Sequence, residues 1–141
     1  MLPAGKRGGA HGLPLIAESR IEELRKLSSP DFDFRKLIRI CEEMNTSYDN
    51  GCYLATATLT RGLLDHVPPV FGKKSFGEVA NNCGGRSFKE AMQHLDNGSR
   101  KVSDGILHEQ IRKSETLPTA QQVCCSQPLD VLLAEIVRLV K

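Results

Sequence analysis

Apolar side chains recur along this chain at steps of three and four residues, the spacing that gathers them on one face of an α-helix. Phe34, Leu37, Ile38, Cys41, Met44 and Tyr48 form one such stripe. Leu129, Leu132, Leu133, Ile136 and Leu139 form another. Pro128 opens it, suited to a first turn because the amide hydrogen it lacks would have no partner there. The strongest patterns repeat at helical rather than strand spacing. The chain is therefore expected to be all-α, a single helical bundle of about five to six helices.

Between these stripes the pattern predicts the remaining elements. Residues 1–14 are rich in Gly and Pro without periodicity and read as a flexible leader or linker, with the bundle domain covering 15–141. A first helix is expected from about Leu15 to Leu27, broken by Ser28-Ser29-Pro30-Asp31. Asp31 or Asp33 can cap the second, and Asp49-Asn50-Gly51 supplies turn chemistry at its end. The third, about Cys52 to Leu64, is apolar on two faces, as a central helix would be. Phe71 to Arg86 reads as a loop with one short turn at Phe76 to Ala80. Ser87-Phe88-Lys89-Glu90 has the form of a capping box opening a fourth helix that ends at Leu95-Asp96-Asn97-Gly98. A fifth is expected over Ser99 to Lys113, and Ser114 to Gln127 looks irregular.

With 141 residues the chain can bury a core without disulfides or a structural metal. A formal charge of +2 does not by itself imply nucleic acid. Basic residues do cluster at Lys73-Lys74, Arg86/Lys89, Arg100-Lys101 and Arg112-Lys113, a pattern that fits either solvated helix faces or an RNA-binding surface. The five cysteines are odd in number, lack C-x-x-C spacing and point to buried thiols in a reducing cytoplasm. No apolar stretch is long enough for a signal peptide or a membrane span, so a cytoplasmic, membrane-free protein is expected.

The candidate chemistry lies at the end of the third helix, in Arg61-Gly-Leu-Leu-Asp-His66 before Val67-Pro68-Pro69. Histidine moves protons near neutral pH and arginine can hold a phosphate, so the pair is a minimal kit for attacking a phosphodiester. In an unbroken helix residues five apart differ in direction by roughly 140°, and the two would diverge. The prolines should fray the helix at His66 and free it to swing toward Arg61. A structural reading competes: Arg61 and Asp65 can pair along the helix, and His66 can sit at its negative end. Glu43 and Asn45 are candidate polar neighbours of Arg61. Asp104 and His108 form a second, weaker pair on the expected fifth helix. His94, His11 and the Cys124-Cys125 pair show no metal-ligand spacing, and Asn81-Asn82-Cys83-Gly84-Gly85 lacks the strand and lysine of a phosphate loop.

An arginine and a histidine separated by four residues in a small helical bundle resembles the HEPN superfamily (higher eukaryotes and prokaryotes nucleotide-binding domains). Many of its members are metal-independent ribonucleases of bacterial defence, toxin and CRISPR-associated systems. The resemblance implies a homodimer whose two copies of Arg61 and His66 form one composite cleft, acting on RNA without metal or cofactor. It implies His66 as general acid or base, Arg61 on the scissile phosphate, Asp65 in support, and an antitoxin or fused effector as partner. The position after the arginine, often polar in that family, is Gly62. The alternative is a catalytically silent HEPN-like module that dimerises or binds nucleotide, as the C-terminal part of a larger protein.

Overall fold

A computed structural model describes residues 12–141, and residues 1–11, with most of the expected leader and His11, lie outside the described residues. The described residues form helices and no strand, so the protein is all-α. The helices are α1 Glu18–Arg25, α2 Arg35–Asp49, α3 Tyr53–His66, α4 Phe76–Asn82, α5 Arg86–Val102, the four-residue α6 Ala120–Val123 and α7 Ser126–Val140. None of them is long and apolar enough to cross a membrane.

The expected stripes are what the bundle buries. Leu37, Cys41, Met44 and Tyr48 of α2 and Leu129, Leu132, Leu133 and Ile136 of α7 all turn inward, joined by Val137, while Leu139 is 44% exposed. Leu139 lies three residues beyond Ile136, and in this last turn Val140 is the residue that packs against the core. On α3 the inward face differs from the expected pair of apolar faces. Leu54 and Ala55 are exposed, and Thr56, Ala57, Thr60, Leu63 and Leu64 are buried. Threonine can take core positions because its hydroxyl returns to the helix. Thr60 Oγ1 donates to the Thr56 carbonyl at 2.8 Å, and Thr56 Oγ1 does the same to Cys52 at 3.0 Å.

Polar ties fix how the helices sit together. Arg20 forks onto Asp130 with bonds of 2.8 and 3.1 Å, fastening α1 to α7. The Asn45 side chain accepts from the Ile16 amide and donates to the Ile16 carbonyl, both at 2.8 Å, so the segment before α1 is held like a paired strand. Ser47 and Thr56 hydroxyls meet at 2.8 Å across the α2–α3 hairpin.

Several boundaries depart from expectation. The first helix begins at Glu18, preceded by a bent segment whose Leu15 and Ile16 are buried. Asp33 does serve the start of α2, but from outside the helix: its carboxylate accepts the Arg35 amide at 3.0 Å, while Phe34 holds the cap position. The segment expected as loop contains α4, started by Ser75 Oγ accepting the Glu78 amide at 3.2 Å and held down by buried Phe76, Val79 and Ala80. Gly85, not Ser87, caps α5.

The largest departure is that α5 runs unbroken through Asn97-Gly98 and takes in the residues expected to start a fifth helix. A glycine in a helix costs only about 1 kcal/mol, and burial of Met92 and Leu95 before it and packing of Val102 after it outweigh it. The helix ends in a π turn at Ser103–Leu107, and beyond it Gln110 is exposed and Ile111 is 94% exposed. The segment expected to be irregular holds α6, which Thr119 and Gln122 open with a reciprocal capping box.

The true chain reversal is at Gly84, where φ is +67° and an added Cβ would come within 2.6 Å of Phe88 Cδ2. The two glycines should thus respond oppositely to alanine. Gly84→Ala is expected to lower stability by about 1–3 kcal/mol, and Gly98→Ala to raise it by about 0.5–1 kcal/mol. Urea denaturation midpoints of the two variants check both signs.

Candidate functional site

Arg61 points from α3 toward α5, with only 18% of its side chain exposed. Burial at that level requires partners for a cation that cannot deprotonate. Three are present: Nη1 donates to Asp96 Oδ1 at 3.1 Å and to Ser99 Oγ at 2.9 Å, and Nη2 donates to Asp65 Oδ1 at 3.1 Å. Ser99 passes its own hydrogen to the Asp96 carbonyl at 3.1 Å, so its oxygen is free to accept from Arg61. Asp96 also receives Arg100 Nε at 3.3 Å. Its side chain is 12% exposed against 65% for Asp65, so Asp96 is the partner that compensates the burial.

Asp65 joins Arg61 as its spacing along the helix anticipated. Glu43 and Asn45 do not. Glu43 accepts from Arg39 at 2.7 Å and lines a cleft with Ala55 and Leu59 of α3, and Asn45, on the nearly opposite side of α2, is committed to Ile16. Asp96 and Ser99 were the neighbours that sequence reasoning missed. Asp96 lies four residues after Met92, in register with a buried stripe, and is recognisable once α5 is continuous.

His66 stays at its helical position. The Val67 amide still bonds to the Leu63 carbonyl at 3.2 Å, and Val67 relaxes to ψ −16°, which accommodates Pro68 without unwinding the turn before it. Pro68–Phe71 then continues as a 3₁₀ turn. The expected fraying is absent. Within one chain Arg61 and His66 remain roughly 140° apart around the helix axis.

His66 is half-buried, has no hydrogen-bond partner among the described residues and lies near Lys36 of α2. Desolvation first, and the Lys36 charge second, hold its pKa below the ordinary value. It is therefore a neutral imidazole at neutral pH.

The second pair is not assembled. The π turn ends α5 before His108, and Asp104 and His108 are both exposed without a hydrogen bond to each other. Three of the clustered arginines are engaged in ion pairs, Arg86 with Glu90, Arg100 with Asp96, and Arg112 with Glu109 and Glu115. Cys41 is fully buried and burial pushes its thiol up to about 12, whereas Cys52, expected in the core, is half-buried at the α2–α3 turn. Among the described residues no three His, Cys, Asp or Glu side chains cluster as a metal site would require.

The lowered pKa of His66 ties stability to pH. Below its ordinary value of about 6.5 the unfolded chain binds a proton that the native state resists. The stability associated with neutral His66 is complete above that value and is lost as pH falls through the lower native one. His66→Gln should therefore reduce the fall in stability between about pH 7 and 5, measured by denaturation at each pH; an unchanged slope would contradict the assignment. Comparisons of the chain with protein-family models, with curated proteins and with solved structures gave no significant match.

Proposed function

We propose that this chain is a catalytically silent, HEPN-like helical module whose work is to associate with a partner, a second copy or a fused or separate protein, rather than to cut RNA. The observation that carries the reading is the engagement of Arg61. Its guanidinium is bonded to Asp96, Ser99 and Asp65 inside one chain. A phosphate would have to displace a nearly buried carboxylate to reach it, and that displacement would leave Asp96 unpaired apart from Arg100.

A second reading, a metal-independent RNA endonuclease with a composite Arg61/His66 site across a two-fold axis, is favoured by one feature. His66 is a neutral, half-exposed imidazole with no hydrogen bond among the described residues to occupy it, the state a general base requires. In that reading the histidine of one copy would serve the phosphate held by the arginine of the other. Defence or toxin function and an antitoxin partner belong to this reading.

Incubation of the wild-type protein and of His66→Ala with a labelled RNA panel in EDTA separates the two. The silent module leaves RNA intact in both, while Arg61→Ala loses stability. Cleavage by the wild type to cyclic-phosphate ends, lost in a folded His66→Ala protein, would overturn the proposal and establish the nuclease.

A further inference from the structure

A half-enclosed cleft of about 380 Å³ lies between α3, α5 and the corner joining α6 to α7. Neither Arg61 nor His66 lines it. Its floor is apolar: Ala57, Leu95 and Val123 are buried there, and Val102 packs beside them. Its rim is polar and carries Ser99, Gln121 and Gln127. The side-chain amides of Gln121 and Gln127 have no hydrogen-bond partner among the described residues.

The composition of the lining selects the ligand. In a chain of which 26% is Asp, Glu, Lys or Arg, no such residue lines this cleft. A nucleotide or other anion would meet no cation, and an amine no carboxylate, so a charged molecule would lose its hydration without a counter-charge. Burial pushes the Cys125 thiol at the edge of the floor up to about 12, which keeps it uncharged. His94 is exposed at the rim, where water screens it. The volume lies within the range of small-molecule pockets and is too small for a packed helix, and an apolar floor under a few convergent amides is how such pockets fix orientation.

We propose that this cleft is a binding site for an uncharged amphipathic small molecule, its apolar body on Ala57, Leu95 and Val123 and its polar end hydrogen-bonded by Gln121 and Gln127. The site is separate from the Arg61 cluster and does not depend on the reading of that cluster. The two meet only at Ser99, which lines the cleft and accepts a hydrogen bond from Arg61.

Two fluorescent dyes sharing one ring system, neutral N-phenylnaphthylamine and its sulfonated relative anilinonaphthalene sulfonate, test the claim on the folded chain. Gly98 lines the cleft on α5, and a Cβ there meets nothing within 4 Å. Gly98→Phe should cover the cleft without disturbing the helix. Gly62→Phe, on an exposed part of α3 outside the cleft and equally open, is the control. The neutral dye should saturate at one per chain and bind at least about tenfold tighter than the sulfonated one. Gly98→Phe, with helix content retained by circular dichroism, should weaken it about tenfold, and Gly62→Phe should not. Absence of saturable neutral-dye binding, equal binding of both dyes, or full binding by folded Gly98→Phe would overturn the proposal.

Discussion

The constraint on which the rest of the bundle depends is a positive charge in the wrong solvent. Arg61 occupies the inner side of α3, between buried Thr60 and Leu63, and its side chain is only 18% exposed. The chain must therefore deliver an acid to that spot. It does so from α5, whose Asp96 lies in a stripe with Met92 and Leu95, and Ser99 adds a neutral acceptor one turn further along. Ser99 stands on the same face as Asp96, three residues further, because α5 passes straight through Gly98. The ion pair, the long helix and the α3–α5 contact are one arrangement.

This explains what the sequence made legible and what it did not. Stripes with a run of large apolar residues, those of α2 and α7, were readable because hydrophobic burial follows periodicity directly. α5 was divided at Asn97-Gly98 because those residues have strong turn preferences. Tertiary burial of Met92 and Leu95 and packing of Val102 override that preference, and no local rule contains it. Thr56 and Thr60 were unread as core for a similar reason: their polarity is cancelled by hydrogen bonds to their own helix. At the candidate site, Asp65 was visible as a partner at helical spacing, whereas Asp96 stands 35 residues away from Arg61 and depends on the fold. His66 was placed wrongly because Pro68 was expected to unwind the turn before it. A modest change at Val67 was enough.

The same geometry separates the two chemistries that first drew attention to this segment. Arg61 faces α5 and is consumed there, while His66 faces the start of α2 near Lys36, neutral and without a hydrogen-bond partner among the described residues. A residue pair that reads as one motif in the sequence is thus divided between two sides of a helix. Any joint action would have to come from two copies of the chain. Within one copy three of the guanidinium's five N–H groups are bonded, to Asp96, Ser99 and Asp65.

The central claim is that Arg61 is a strut between α3 and α5, and a double-mutant cycle with Arg61→Met and Asp96→Leu measures it most directly. If the two side chains hold each other, removing either leaves the other buried with only its more exposed or neutral partners, Asp65 and Ser99 for Arg61 and Arg100 for Asp96, and removing both costs much less than the sum. The account predicts a coupling of at least about 1.5 kcal/mol by denaturation. Strictly additive losses would contradict it and return Arg61 to the role of a free phosphate-binding cation.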